Sequence, residues 1–261
     1  MSLTPDLSQR NLVPEKMDDP ALPHADHQRA LRGLRRINWF SGTLSQFDLV
    51  ICELNAKYIS KEPVVILDIG CANGENAIGL YHRLAPKFHV SILGWDISPY
   101  AIEQADKLRK KHGLSEHQCR FELRNALEVT PLGNQADQVA DIVINSLFLH
   151  HFEASDVVKL LARMRVLARR AVICDDLLRT RTGWLLAKLG CHLLSRSKVV
   201  HFDGPQSVRA AFTMQELKSL ADQAGLINSR FSKHWPERCS VIWERNNQPD
   251  TLLPAIPRSS H

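Results

Sequence analysis

The chain lacks most of the short signatures that would fix its chemistry at a glance. Its six cysteines (Cys52, Cys71, Cys119, Cys174, Cys191 and Cys239) include no C-x-x-C pair. Neither a zinc site nor a disulfide framework is therefore expected, and a reducing, cytoplasmic compartment is the simplest reading. The longest apolar run, Trp184 to Leu194, is broken by Lys188 and His192. A bilayer span needs about 20 apolar residues, so no stable membrane insertion is expected. Residues 1–25 are polar, contain four prolines and carry mixed charge. They do not read as a signal peptide and suggest a mobile tail. The net charge of +5 is modest. No basic stripe interleaved with aromatic residues appears, which argues against a nucleic-acid partner. Neither G-x-G-x-x-G nor G-x-x-x-x-G-K-[ST] occurs, so a dinucleotide fingerprint and a phosphate-cradling P-loop are both missing.

What is present is a buried strand that runs straight into small residues. Val64-Val-Ile-Leu-Asp-Ile-Gly-Cys-Ala-Asn-Gly74 reads as a strand followed by a tight turn. Gly70 and Gly74 have no Cβ and so permit positive φ and a close approach of backbone to ligand. About twenty residues further on, Gly94-Trp-Asp-Ile-Ser98 ends a second strand in an acid. A carboxylate at such a strand tip can accept hydrogen bonds from both ribose hydroxyls. Together the two segments imply a nucleoside-containing ligand over the ends of neighbouring strands.

The alternation of patterns implies a doubly wound parallel sheet of Rossmann type. Strands are expected near 64–69, 90–96, 119–124, 141–146 and 170–175, with helices between them. Ser98 and Pro99 mark a helix start. Thr213-Met-Gln-Glu216 reads as a capping box, Phe212 and Leu217 as its hydrophobic staple, and Gly225 as the helix end. Residues 227–234 and 238–244 look like two further strands. Before the first strand, residues 26–38 look helical, with Arg29, Arg32 and Arg36 on one side as a solvated face or an anion site. Leu44, Phe47, Ile51, Leu54 and Tyr58 recur at helical spacing. Asn38–Gly42 between these helices is either a lid turn or a simple connection. The expected organisation is a tail over 1–25, a helical cap over 26–60, one domain over 61–245 and a second tail over 246–261. An insertion at 177–211 interrupts the domain.

The run LDIGCANGENAIGL resembles the first motif of the class I S-adenosylmethionine-dependent methyltransferases, with Ala72 standing where that family has its middle glycine. GWDISPYAIEQA resembles the second motif, FELRNALEV the third and ADIVINSLFLHHF the fourth. The resemblance implies a seven-stranded sheet, mostly parallel, with an antiparallel C-terminal hairpin. It implies S-adenosylmethionine as cofactor and S-adenosylhomocysteine as product. Asp68, Gly70, Cys71, Ala72 and Gly74 are the implied cofactor loop, with Asp96 and Ile97 at the ribose. Asn125 and Ala126 would frame the adenine, while Asn145 and Ser146 would lie beneath the methionine half.

Transfer to oxygen or carbon also requires removal of a proton, and a positioned histidine can contribute roughly 10²–10⁴-fold. The candidates are His150 and His151 after the fourth strand, and His201 near Asp203. His150 is also read as merely closing the cofactor pocket. No metal is expected at the adjacent histidines, since helical ligands usually stand three or four apart and no carboxylate cluster accompanies them. Asp176 and Arg179 stand on the acceptor rim, where they either bind a polar group or pair with each other.

The fourth motif, Asn145-Ser-Leu-Phe148, lacks the pattern of enzymes that methylate exocyclic base nitrogens. The resemblance to ubiquinone, menaquinone and polyketide-type methyltransferases implies a small phenolic, enolic or quinone-like acceptor with an apolar tail. The leucine-rich segment 182–196 reads as an apolar wall, a peripheral membrane contact or a homodimer contact. Two other readings are a non-catalytic S-adenosylmethionine-binding scaffold and a nucleotide-dependent oxidoreductase.

Overall fold

A computed structural model describes residues 5–19, 21–57, 62–127 and 138–245. Tyr58 and the tail at 246–261 lie outside the described residues. The chain builds one sheet in the order β3-β2-β1-β4-β5-β7-β6. The strands are β1 (Val64–Ile69), β2 (Val90–Asp96), β3 (Cys119–Leu123), β4 (Ala140–Ser146), β5 (Ala168–Leu177), β6 (Arg230–His234) and β7 (Arg238–Glu244). The first five run parallel, and β7 is antiparallel to both β5 and β6. The helices are α1 (His24–Ser41), α2 (Thr43–Asn55), α3 (Glu75–Leu84), α4 (Pro99–Lys111), α5 (Ala154–Leu167), α6 (Arg181–Leu194), α7 (Lys198–Ala210) and α8 (Met214–Gln223).

The parallel strands are continuous apolar runs because helices cover both faces of the sheet. On one face Leu67, Ile69, Val143 and Val172 pack with Leu160, Met164 and Leu217 from α5 and α8. On the other, Ile66, Ile92, Ile144 and Ile173 pack with Phe47, Ile51 and Leu54 of α2 and Ile78 of α3. The chain leaves β1 toward β2 and enters β4 on the other side. The crevice between the carboxyl ends of β1 and β4 is thus the point where a doubly wound sheet receives its ligand.

The local signals work as chemistry dictates. Ser98 Oγ accepts from the Ala101 amide at 3.2 Å, with Pro99 in the first turn of α4. Thr213 and Glu216 satisfy each other's backbone donors at the start of α8. Phe212 and Leu217 are both buried beside them. Gly225 takes φ 78° just beyond the end of α8.

Several expectations are corrected. α1 extends well past 26–38, and Gly42 alone joins it to α2, so Asn38–Gly42 is a helix connection rather than a lid. The insertion holds two helices, not one. β6 begins at Arg230 rather than 227, because Asn228 adopts φ 63° and turns the chain.

The N-terminal segment is no mobile tail where it is described. Arg10 donates from Nε to Ala210 O at 2.7 Å and from Nη2 to Phe152 O at 2.9 Å and His150 O at 3.2 Å. Its guanidinium lies 3.6 Å above the Phe212 ring centroid. The Lys16 and Met17 amides donate to the two oxygens of Asp203 at 2.8 and 3.1 Å. The polar composition that suggested disorder supplies the donors and acceptors of a strap bound to α7 and the turn after β4. Among the described residues no helix is long and apolar enough to cross a membrane.

Candidate active site

The loop after β1 is held in a shape that small residues alone permit. Gly70 takes φ 75° and Gly74 φ 72°. A Cβ on Gly70 would stand 2.6 Å from Phe148 Cδ2, and one on Gly74 2.6 Å from Phe121 Cζ. Ala72 sits between them at φ 47°, a conformation that costs an alanine energy which a glycine would not spend. The loop is sewn to the neighbouring strand, since the Gly70 and Cys71 amides both donate to Trp95 O, at 2.8 and 3.1 Å.

Asp96 completes the cradle. Its Oδ2 accepts from the Ala72 amide at 2.9 Å, and its Oδ1 from the Ser98 amide at 2.9 Å. Each oxygen keeps a further lone pair for a ligand hydroxyl. Ile97, next to it, is 68% exposed, and Leu123 at the end of β3 is 55% exposed. Apolar side chains left in solvent beside a strand-tip acid offer a surface for a flat ligand. Ala126 is buried near the same edge. Asn125 Oδ1 accepts from the Leu127 amide at 3.0 Å and so shapes the turn there.

Asp68 lies under this loop, buried in β1. Burial and the Asp96 charge push its carboxyl up to about 7. A cation placed over it would reverse that shift. Cys71, buried just beyond the strand, is pushed well above the usual thiol range by burial and the two nearby acids. Its role is that of a small apolar contact.

α1 crosses above the same edge. Arg35 Nε reaches Glu75 Oε1 at the start of α3 at 2.5 Å, and His27 meets Tyr100 edge-on at 6.0 Å. Arg36 Nε donates to Leu194 O at 2.5 Å, tying α1 to α6.

Of the two β4 candidates, Ser146 stands at the strand tip and accepts from Arg238 Nη2 at 3.2 Å. Asn145 does not face the crevice. Strand alternation turns its side chain into the core, where Nδ2 donates to Met164 Sδ at 3.4 Å and Oδ1 is buried without a hydrogen-bond partner.

The three histidines fall in different settings. His150 is buried in the turn after β4, with Nδ1 2.7 Å from Asp176 Oδ1 and Nε2 3.6 Å from Glu15 Oε1. Burial alone would push its pKa down, but the Asp176 and Glu15 carboxylates overcome this and carry it up to about 9. Asp176 is pulled below its ordinary value by the same partner, against the effect of burial. His150 is therefore clamped between two carboxylates, which favour a positive charge at this place, whether a proton or a cation. His151, its neighbour, is exposed. His201 sits on α7 with Nε2 2.8 Å from Ser195 O and its ring stacked on His192 at 4.1 Å. Asp203, two residues on, accepts from the strap amides of Lys16 and Met17, one on each oxygen.

Nor do Asp176 and Arg179 pair with each other. Arg179 bonds Leu7 O, Ala211 O and Glu216 Oε1 at 3.0, 2.7 and 2.7 Å.

Two groups were not visible in the sequence. Glu15 arrives from the N-terminal strap, far from any motif. The second is a buried cluster at the ends of β5 and β7. Asp175 Oδ2 meets His234 Nε2 at 2.5 Å and Ser240 Oγ at 2.6 Å, and Oδ1 is ion-paired with Arg238. Arg238 Nη1 also donates to Thr43 Oγ1 at 2.5 Å, which pins the start of α2. His234 Nδ1 lies 3.0 Å from Trp235 O. An arginine at the head of the strand Arg238–Glu244, followed by a serine among apolar residues, was the available signal.

A family model described as "Methyltransferase domain" matches residues 60–178. No curated protein matches the chain in sequence. Among solved structures, the chain is similar to magnesium protoporphyrin IX methyltransferase from Synechocystis PCC 6803 with bound S-adenosylhomocysteine. That match has a TM-score of 0.54 at 14% identity and covers 87% of this chain and 90% of that one. The plantazolicin methyltransferase BpumL matches with a TM-score of 0.57 at 14% identity, over 85% of this chain and 98% of that one. The S-adenosylmethionine-dependent methyltransferase SibL matches with a TM-score of 0.58 at 20% identity, over 87% of this chain and 60% of that one. At such identities the likeness is one of fold. The segment matched by the family model, residues 60–178, contains both the turn after β1 and the strand-tip acid Asp96.

Proposed function

We propose that the protein transfers the methyl group of S-adenosylmethionine to an oxygen or carbon atom of a small phenolic, enolic or quinone-like acceptor with an apolar tail. The cradle supports the cofactor half of this reading. Asp96 would hold the ribose, Ile97 and Leu123 would face the base, Ala126 would line its edge, and Gly70 and Ala72 would lie against the methionine half. Asp68 would offset a cationic ligand charge from below. S-adenosylmethionine, when bound, supplies an electrophilic methyl on a sulfonium.

The protein's remaining task is to bring a nucleophile into line with that methyl and to dispose of its proton. His151 is the candidate proton acceptor, since it is exposed and follows β4 directly. His150 would fix the turn that carries it, held by Asp176 and Glu15. His201 would belong to the scaffold of α7.

The observation that carries the acceptor reading is an apolar rim. Phe40 at the end of α1 and Trp235 in the β6–β7 turn meet edge-on at 6.0 Å, and both are about half exposed. α6 starts beside the same turn, with Thr180 Oγ1 donating to Glu237 Oε2 at 2.9 Å. Along α6, Leu185, Leu189 and Leu193 form an exposed stripe. Exposed apolar side chains gathered from three elements suit an acceptor that is itself largely apolar. Neighbours of this fold act on a porphyrin and on plantazolicin, by their names.

The test is incubation with methyl-deuterated S-adenosylmethionine and a panel of alkylated phenols and quinols, read by mass spectrometry. Labelled apolar products are expected. Cofactor binding by calorimetry with no labelled product from any acceptor would favour the scaffold reading instead.

A further inference from the structure

The turn after β4 presents two consecutive imidazoles that the fold has brought against a carboxylate. The rings of His150 and His151 lie 4.3 Å apart at 33°. One ligand atom from each of Glu15, His150 and His151 falls within 4.8 Å of the others. The sequence argued against a metal on two grounds, the adjacent spacing of the histidines and the lack of an accompanying carboxylate cluster. The turn answers the first by bringing both rings together, and the strap answers the second by delivering Glu15.

Three geometric features favour an ion. His150 Nε2 and Glu15 Oε1 are 3.6 Å apart, too long for a good hydrogen bond. Two ligands sharing a tetrahedral ion, with bonds of about 2.0–2.2 Å, stand roughly 3.4 Å apart. Next, His150 Nδ1 is held by Asp176 at 2.7 Å. A carboxylate on the far ring nitrogen aims the other nitrogen at a metal and raises its basicity, the usual support of a metal-bound histidine. Finally, Glu15 is itself oriented by Ser207 Oγ, which donates to the same Oε1. Both ligands on the buried side are therefore pre-set, while exposed His151 closes the site toward solvent.

We propose that Glu15, His150 and His151 bind a divalent ion of zinc type, with Asp176 as the residue that positions His150. Two imidazoles and one carboxylate suit zinc or cobalt, whereas magnesium and calcium demand oxygen ligands. Three protein ligands leave a fourth position for water. The ion fastens the N-terminal strap to the turn after β4. It also engages His151, the residue that would take an acceptor proton, so zinc is expected to oppose methyl transfer rather than assist it.

The test reads binding directly and needs neither acceptor nor cofactor. The full chain, stripped with a chelator, is titrated with Zn²⁺ by calorimetry and with Co²⁺ by visible absorption. One equivalent is expected at micromolar affinity or better, with the intense bands of a four-coordinate cobalt centre and no competition from Mg²⁺. Glu15→Gln and His151→Gln should each weaken binding at least tenfold while melting, without the ion, at the temperature of the parent.

The fold contains two other imidazole pairs, His82 with His112 and His192 with His201. His82→Gln and His201→Gln should leave the affinity unchanged. The proposal is overturned by absence of stoichiometric uptake. It is overturned equally by uptake that survives the Glu15→Gln/His151→Gln double variant or that vanishes in His82→Gln or His201→Gln.

Discussion

Asp68 and Asp96 show how two acids at one edge take different tasks. Asp96 has backbone amides on both oxygens and an opening to solvent, so it is ready to accept hydroxyls. Replacing it with Ala removes charge-assisted hydrogen bonds and is expected to weaken S-adenosylmethionine binding by about 1.5–3 kcal/mol. Calorimetry checks this, and an unchanged affinity would sink the ribose assignment. Asp68 is buried, and its carboxyl is pushed up to about 7 from 3.8 by burial and by Asp96. The folded protein thus holds this proton over a range in which the unfolded chain has released it. The resulting stability is fully present below about pH 4, falls as pH rises, and is gone above about pH 7. A shift of some three units corresponds to roughly 4 kcal/mol. Urea unfolding of the protein and of Asp68→Asn from pH 4 to 8 should therefore show a difference in stability that changes across this window and is flat above it. Parallel pH profiles would place the Asp68 proton elsewhere.

At the scale of elements, α6 is where sequence and structure part most instructively from the sheet. Its exposed stripe of Leu185, Leu189 and Leu193 touches no core cluster. Leu185→Ser with Leu189→Ser should therefore leave the melting temperature within a degree or two. If α6 lines the acceptor, the same change should raise KM for long-tailed acceptors by tenfold or more, since burying each leucine is worth about 1.5–3 kcal/mol. Equal KM values for short and long tails would remove α6 from the acceptor site. The strands were legible because parallel strands covered on both faces are written as unbroken apolar runs, and β1 and β2 fall where those runs predict. α7 was hidden because Gly204 and Pro205 lie inside it and read as helix breakers. The helix forms regardless, since Val199, Val200 and Val208 are buried. Gly204 is required there, as a Cβ would stand 2.2 Å from Cys191 Sγ. The turn after β1 and the acid at the tip of β2 were legible for a related reason: the turn needs small residues and the acid needs a strand end, and both needs are local. Asn145 was misread because a motif gives position along a strand and not the face a side chain takes.

Across the whole molecule, the parts that could not be read are those made by contacts between distant segments. The strap is the chief case. Nothing local in residues 5–19 demands order, and its docking depends on Arg10, which reaches three carbonyls on two separate elements. Those carbonyls belong to Ala210 at the end of α7 and to His150 and Phe152 after β4, so one side chain couples the insertion to the candidate catalytic turn. A hydrogen bond from a charged group contributes about 1.5–3 kcal/mol where it is partly buried, and these three share one desolvated guanidinium. Arg10→Ala is accordingly expected to lower the free energy of strap opening by about 2–4 kcal/mol. Hydrogen exchange at the Lys16 and Met17 amides, which donate to Asp203, should accelerate by roughly thirty- to several-hundred-fold. The central strands should keep their protection, because no core side chain is lost. Unaltered exchange at Lys16 and Met17 would mean that the strap is held without Arg10, by its contacts to Asp203, Arg179 and Ser207.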